Sequence, residues 1–262
     1  MDPRDKPEDD PWFGRLDKAA RVARMPRDVH TLQNQVGPMK LYMHPISTVA
    51  RPVMFFAADE GIKLETQMVD LMKGEHLQPA YAAVNPSCQV PTLEDGDFRL
   101  TECSAILKYL ADVKGSAAYP KELKARARVN ELMDWLNTGF YRSFGYGLCY
   151  GQILDNYKNP DANGQKANLE MAKKQAEKFF SVLDKNILGK GNTYLAGDAI
   201  TIADYFASGL VSLGDVIGCK FSAYPNVVRW YNKMKARPNW AATNGAVAQW
   251  AEMAKGPAYV TI

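Results

Sequence analysis

Three short pieces of sequence between residues 39 and 110 decide the fold: KLYMHPIS (40–47), NPSCQVPTL (85–93) and DGDFRLTECSAI (95–106). The first piece joins a strand-like run at 40–43 to a helical pattern at 49–60, with Pro52 in the first helical turn, where its missing N–H costs nothing. Alternating residues predict a second strand at 64–69, and a loop then leads into a short helix that ends before Pro86. The order continues with two strands joined by the hairpin signal Asp-Gly-Asp and with a helix that opens at Thr101.

This order of strand, helix, strand, helix, strand, strand, helix predicts a thioredoxin-like α/β domain, which we place at residues 39–115. After a short linker the strand patterns stop, and helical periods are found at 122–157, 161–188, 203–216 and 226–236. We therefore expect an all-helical C-terminal domain at residues 119–262. The polar residues 1–38 hold seven acids and seven bases. They are expected to be a disordered extension, with a partner-docking arm or a misassigned start codon as the alternatives.

Composition limits the classes of function. A net charge of +3 is too small to indicate nucleic acid or a membrane surface as a partner. No apolar run is long enough to span a bilayer, and residues 1–10 lack the apolar segment of a signal peptide. The four cysteines are widely spaced without a CxxC pair, so neither a disulfide framework nor a zinc site is expected. A reducing cytoplasm fits this pattern best.

Ser47 is the candidate catalytic residue. It follows a strand and precedes a helix, so its hydroxyl is expected to lie in the positive field of a helix N-terminus. A thiol brought to this point would meet a hydroxyl donor and a favourable dipole, and both stabilise the thiolate, which is the reactive nucleophile. The structural alternative is that Ser47 only caps the helix.

Two further segments are candidates for holding an extended peptide ligand. Val90-Pro91 before a strand suits a cis peptide bond, and the main chain of Val90 could then pair with a ligand as an added strand would; an ordinary proline turn is the alternative. Glu102 and Cys103 open a helix, where backbone N–H groups could donate to a carboxylate and Glu102 could pair with an amino group. Simple capping of that helix is the alternative. His76, in a polar loop, could donate to a second carboxylate or could simply be solvated. No histidine has a partner at metal-ligand spacing.

These residues resemble the cytosolic glutathione transferase superfamily, and within it the theta class and its bacterial members. The resemblance covers residues 39 to about 237 and includes DLMKGEHL (70–77), VNP (84–86), LTE (100–102) and ARARV (125–129). It implies that glutathione is a co-substrate, that no cofactor is bound permanently, and that Ser47 is the catalytic hydroxyl. It also assigns glutathione contacts to Gln89, Val90, Glu102 and Cys103, and the glycyl end of glutathione to His76.

Three positions depart from the family pattern. Cys103 stands where serine is usual, and a thiol is the weaker hydrogen-bond partner. Gln89 replaces a lysine that is frequent in the theta class, which removes one charge near glutathione. The segment after Ser47 is Thr-Val-Ala instead of the commoner Gln-Pro-Cys, although Arg51 is kept. We interpret Arg51 as structural support.

The electrophile pocket is expected between the two halves, against the first long helix of the second half. Its predicted wall comprises Phe140, Tyr141, Phe144, Tyr146, Cys149 and Tyr150, and the tail residues Trp250 and Tyr259 could close over it. Aromatic residues at helical spacing also occur as plain core, which is the alternative.

The sequence therefore predicts a serine-type glutathione transferase that acts on small hydrophobic electrophiles by conjugation or dehalogenation. A homodimer is expected, in which arginines at 126 and 128 could pair with acids of a neighbour and Asn130 or Glu131 could reach the other subunit's glutathione. The alternative is a non-catalytic binding or stress-response protein of the same fold, which the change to Cys103 favours. Thr201 and Asp204 form a helix-capping box, so we expect a structural role for Asp204.

Overall fold

The computed structural model describes residues 39–189, 191–255 and 258–262, so the predicted extension at 1–38 lies outside the described residues. The first part of the chain holds seven elements, in this order: β1 (Met39–Met43), α1 (Ala50–Asp59), β2 (Leu64–Met68), α2 (Pro79–Ala82), β3 (Thr92–Asp95), β4 (Phe98–Thr101) and α3 (Cys103–Lys114). A short 3₁₀ turn, Glu75–Leu77, precedes α2. The predicted order of strands and helices is confirmed.

The four strands form one mixed sheet in the order β2-β1-β3-β4. Strand β1 pairs in parallel with β2, from Met39 opposite Leu64 onward, and antiparallel with β3, where Leu41 lies opposite Leu93. The β3–β4 hairpin turns at Gly96, whose φ of 61° is a left-handed conformation that suits glycine. The parallel pair and the hairpin are the arrangement that the sequence predicts.

In the second part of the chain the regular elements among the described residues are helices, apart from one isolated β-bridge between Tyr194 and Gly197. Its elements are α4 (Leu123–Asp134), a π-helical segment (Trp135–Tyr150), α5 (Gly151–Ile153), α6 (Ala162–Val182), a short π-helical turn (Leu183–Ile187), α7 (Ile202–Val211), α8 (Leu213–Val216), α9 (Pro225–Lys235) and α10 (Trp240–Met253). The sequence patterns predict all the long helices except α10. The thioredoxin-like part followed by a helical part is therefore confirmed, whereas the domain limits at 115 and 119 stay predictions.

One continuous hydrophobic core joins the two parts. Helix α1 packs directly on α7, and the approach at Gly209 is tight, because an added Cβ would lie 2.5 Å from Pro52 Cγ and 2.8 Å from the carbonyl oxygen of Thr48. The turn that carries Ser47 is thus supported by the helical part. Asp59, at the end of α1, accepts hydrogen bonds from Tyr205 of α7 and from Arg237 and Asn239, and these bonds also hold α1 against the helical part.

Helix α7 begins with the predicted capping box. The carboxylate of Asp204 accepts the backbone N–H of Thr201 at 2.8 Å and its hydroxyl at 3.0 Å. The same carboxylate also accepts the backbone N–H of Leu195 and the indole N–H of Trp230, each at 2.9 Å. Asp204 is fully buried, and these contacts show the structural role that the sequence predicts. Among the described residues, no helix combines the length and apolar character that crossing a membrane requires.

Candidate active site

Ser47 lies in the turn between β1 and α1. Its backbone N–H donates to the carbonyl of His44 at 2.9 Å, and its Oγ accepts the backbone N–H of Ala50, the first residue of α1, at 3.2 Å. This bond uses a lone pair of Oγ and not its proton, so the hydroxyl proton can still be donated to a ligand. The side chain is nearly buried, with 9% of Ser47 exposed. The hydroxyl therefore sits at a helix N-terminus, as predicted from the sequence.

A cleft with a volume of about 240 Å³ lies between the two parts of the chain and reaches this turn at Val49, whereas Ser47 itself is not among the residues that line it. One side belongs to the thioredoxin-like part and the other to the π-helical segment. The lining residues from the first side are Val49, Asn85, Gln89, Val90, Pro91, Glu102 and Cys103, and those from the second are Asn137, Thr138, Tyr141, Arg142 and Tyr146. The structure thus brings four of the predicted glutathione-binding residues together around one opening.

Two hydrogen bonds to the backbone carbonyl of Gln89 hold the loop that precedes β3. The carbonyl of Gln89 accepts from Asn85 Nδ2 at 2.7 Å and from the hydroxyl of Tyr81 at 2.8 Å. The next peptide bond along the chain, between Val90 and Pro91, is cis, as the sequence predicts. Asn85 is buried and was not identified from the sequence as a site residue, although it belongs to the quoted Asn-Pro-Ser motif.

Glu102 adopts an unusual backbone conformation between β4 and α3. Its φ of 68° and ψ of 116° lie in a region that residues with a side chain rarely occupy. Strain of this kind persists where the surrounding structure imposes it and is frequent at ligand sites. In this conformation the side chain of Glu102 is exposed at the cleft. Cys103 begins α3, and its thiol is buried. Burial raises the pKa of the Cys103 thiol well above its ordinary value, so Cys103 faces the cleft as a neutral thiol.

His76 lies apart from these residues. It is half-buried in the 3₁₀ turn before α2 and is not among the residues that line the cleft. Its Nδ1 atom is buried and has no hydrogen-bond partner among the described residues. The predicted contact of His76 with a glycyl carboxylate stays a prediction.

The π-helical segment determines which side chains reach the cleft. Leu136, Phe140, Phe144 and Leu148 are spaced four apart, and all are fully buried. Their side chains therefore lie on the face of the segment that packs into the core.

The predicted electrophile wall is therefore divided between the core and the cleft. Phe140 and Phe144 pack against Phe180 at ring-centroid distances of 5.0 and 4.9 Å. Cys149 is also fully buried, and these three predicted wall residues do not line the cleft. Tyr141 and Tyr146, also predicted, do line it, whereas Tyr150, the sixth predicted wall residue, does not.

The helical side of the cleft also presents polar residues that the sequence reasoning missed, namely Asn137, Thr138 and Arg142. The signal that could have identified them is their placement one or two positions after the buried series at 136 and 140. The predicted tail residues lie elsewhere, with Tyr259 packed on the core and Trp250 within α10. Neither lines the cleft.

Two family models match this chain. The model described as the glutathione S-transferase N-terminal domain matches residues 37–112, and the model of the C-terminal domain matches residues 150–238. Together with the sheet, the helical part and the cleft between them, these matches place the chain in the glutathione S-transferase family of enzymes.

Solved structures agree with this assignment and refine it. A delta-class glutathione transferase from Nilaparvata lugens is 33% identical, with 83% of this chain and 99% of that chain covered and a TM-score of 0.70. Human glutathione transferase theta-2, crystallised with glutathione and an unknown ligand, is 28% identical over 82% of this chain and 90% of that chain, with a TM-score of 0.72. Human glutathione-S-transferase T1-1 in its apo form is 29% identical over 82% and 91% of the two chains, with a TM-score of 0.71. The predicted theta-like character is confirmed, and a delta-class enzyme is similarly related.

Proposed function

We propose that this glutathione transferase activates the glutathione thiol with the hydroxyl of Ser47, for attack on small electrophiles by conjugation or dehalogenation. One observation carries the proposal. Ser47 Oγ accepts the N–H of Ala50 at the start of α1, so its proton is available to the ligand. A hydroxyl donor within the positive field of a helix lowers the pKa of a bound thiol and supplies the thiolate.

Glutathione is proposed to lie along the thioredoxin-like side of the cleft. The main chain of Val90 pairs with the extended tripeptide, and Gln89 lies beside it. The carboxylate of Glu102 pairs with the glutamyl amino group, and the backbone N–H of Cys103 donates to the glutamyl carboxylate. The shared position of these residues on one cleft supports this assignment. The theta-2 structure, which contains glutathione, supports it by similarity.

The electrophile is proposed to occupy the helical side of the same cleft. Tyr141 and Tyr146, both assigned to this wall from the sequence, provide aromatic surface for a small hydrophobic molecule. Phe140, Phe144 and Cys149 support this wall from the core. The electrophile thus meets the thiolate where the two sides of the cleft approach each other.

Replacing Ser47 tests the mechanism. Ser47→Ala is expected to lower turnover about 100-fold, as removal of one transition-state donor does, while glutathione affinity changes only a few-fold. The ultraviolet absorbance of enzyme-bound thiolate at neutral pH should also be lost. Ser116→Ala is a matched control, because Ser116 Oγ likewise accepts a backbone N–H, from Ala118, in a turn outside the cleft. Unchanged turnover in Ser47→Ala would reject the serine mechanism.

A homodimer in the cytoplasm is part of the proposal. Exposed apolar side chains on the thioredoxin-like part, among them Met72 and Leu77, offer surface for a second copy. The arginines expected to reach a neighbour have partners within the chain, since Arg126 pairs with Asp112 and Arg128 with Glu131. The cysteines at 88, 103, 149 and 219 are free thiols, which suits a reducing compartment. Light scattering should give twice the 29.2 kDa mass of one chain.

A further inference from the structure

The turn that carries Ser47 begins at His44. This turn follows β1 directly, and the backbone N–H of Ser47 donates to the carbonyl of His44 at 2.9 Å. Pro45 occupies the second of its four positions, which the fixed φ of proline favours. At the other end of the turn, Ser47 Oγ accepts the N–H of Ala50. The direction of the Ser47 hydroxyl therefore depends on the geometry of the turn.

The imidazole of His44 makes a second hydrogen bond within this turn. Its Nδ1 atom accepts the backbone N–H of Ile46 at 3.3 Å. A side chain that accepts the N–H two residues later forms the connection of an Asx turn, which Asn and Asp commonly make. A ring nitrogen that accepts an N–H carries no proton, so this contact requires a neutral imidazole with its proton on Nε2. Unlike an Asn side chain, His44 loses the contact when Nδ1 is protonated.

The surroundings of His44 favour the neutral imidazole. Only 8% of His44 is exposed, and this burial lowers its pKa below the ordinary value. Asp70, in the loop after β2, is the charged residue in the described part of the chain that acts on the imidazole, and its effect is opposite but smaller. The Asp70 carboxylate also accepts the backbone N–H groups of Met72 and Lys73 and pairs with the Lys73 ammonium at 3.2 Å. The Glu75 carboxylate accepts the backbone N–H of Asp70.

From these contacts we propose that His44 is a positioning residue for the catalytic serine: its neutral imidazole holds the turn that aims the Ser47 hydroxyl at the glutathione sulfur, and protonation of Nδ1 releases that turn. This inference rests on the proposed function. The proton that enters at Nδ1 displaces the N–H of Ile46, which is left without a partner at a cost in free energy. The imidazolium is attracted to the Asp70 carboxylate instead, and the Ser47 hydroxyl loses its alignment.

Two substitutions separate the hydrogen bond from the proton. His44→Asn keeps an acceptor on the δ atom but does not titrate between about pH 5 and 8, whereas His44→Leu removes the acceptor. With chlorodinitrobenzene as the electrophile, saturating glutathione and about pH 7.5, His44→Asn should keep kcat/KM within about two-fold of wild type. His44→Leu should lower it about 10-fold, because the Ile46 N–H is left unpaired. Calorimetry should give an unchanged glutathione affinity for both, since His44 does not line the cleft.

The pH dependence of kcat/KM is the measurement that a merely structural role would not change. It is recorded for wild type and His44→Asn at saturating glutathione, over the acid range in which circular dichroism shows both proteins folded. In the wild type, protonation of the bound thiolate and protonation of His44 both suppress the reaction. The slope of log kcat/KM against pH should therefore approach about two in the acid range. In His44→Asn only the thiolate titrates, and the slope should stay at about one.

Ser116→Ala is the matched control, because Ser116 Oγ accepts the N–H of Ala118, also two residues later, in a turn outside the cleft. It should keep the wild-type kcat/KM and pH profile. Identical pH profiles for wild type and His44→Asn would overturn the role of His44, and so would equal losses of kcat/KM in His44→Asn and His44→Leu. If His44→Leu does not fold, the two pH profiles still decide. Unchanged turnover in Ser47→Ala would instead reject the proposed function itself.

Discussion

The carboxylate of Asp204 offers the sharpest test of how the helical part is held together. It is fully buried and accepts four hydrogen bonds, two on each oxygen. In Asp204→Asn the single amide oxygen can serve only two of these donors. The amide NH₂ group then faces the other two donors, either the pair from Thr201 or the pair from Leu195 and Trp230.

The size of the effect follows from two opposing contributions. Two lost hydrogen bonds to a charged group cost roughly 3–6 kcal/mol together. Burial raises the pKa of Asp204 even though its hydrogen bonds lower it, so the ionised carboxylate itself carries a desolvation cost. The neutral amide avoids that cost, which offsets part of the loss. We expect a net destabilisation of roughly 2–4 kcal/mol, corresponding to a fall in Tm of about 5–15 °C for a chain of this size.

Thermal and urea unfolding of wild type and Asp204→Asn measure this difference, with kcat/KM determined on the folded fraction. Asp198→Asn is the control, because Asp198 is exposed and accepts one bond from the hydroxyl of Thr193. Its Tm should change by no more than about 2 °C. A Tm for Asp204→Asn equal to that of the control would refute the reasoning. A loss of activity without a loss of stability would assign Asp204 a chemical role instead.

Three other substitutions test separate parts of the structure. Glu102→Ala should weaken glutathione binding about 10- to 100-fold in titration calorimetry, from the loss of a charge-assisted contact; equal affinity would place the glutamyl pocket elsewhere. Burial lowers the pKa of His44 below 6.5, against an opposing effect of Asp70. The unfolded chain therefore binds more protons near that pH, and wild type should lose stability as pH falls below about 6.5, more than His44→Gln does in urea unfolding; equal slopes would contradict this. Gly209→Ala should destabilise by about 1–3 kcal/mol in urea unfolding and lower activity, because the new Cβ displaces Pro52 or the Thr48 carbonyl; unchanged stability would show that the contact relaxes freely.

Local signals were enough to predict most of the fold. Pro52 in the first turn of α1, Gly96 at the hairpin turn and the Thr201–Asp204 capping box each act through neighbours a few residues away. Such signals are present in the sequence itself, since backbone hydrogen bonding in turns and helix ends depends on adjacent residues. Helix α10 lacked a comparable signal. Its buried positions include Thr243 and Asn244, polar residues that no apolar pattern identifies.

The sequence predicted those parts of the candidate site that depend on the local backbone. It did not predict the parts that depend on how side chains pack. The cis peptide at Pro91 and the helix starts near Ser47 and Cys103 follow from short motifs. The helical wall of the cleft did not, because helical spacing assigned Phe140 to the pocket, whereas its packing against Phe180 places it in the core.

The sequence by itself determined the order of strands and helices, the position of the serine at a helix start and the motifs that are proposed to bind glutathione. Only the tertiary structure decided which distant groups meet. Tyr150 reaches Thr48 across 102 positions, and Asn244 reaches Arg51 across 193. These contacts depend on how the helical part packs against α1, and packing of separate elements is fixed by the shape of the whole core, which no local pattern of residues encodes.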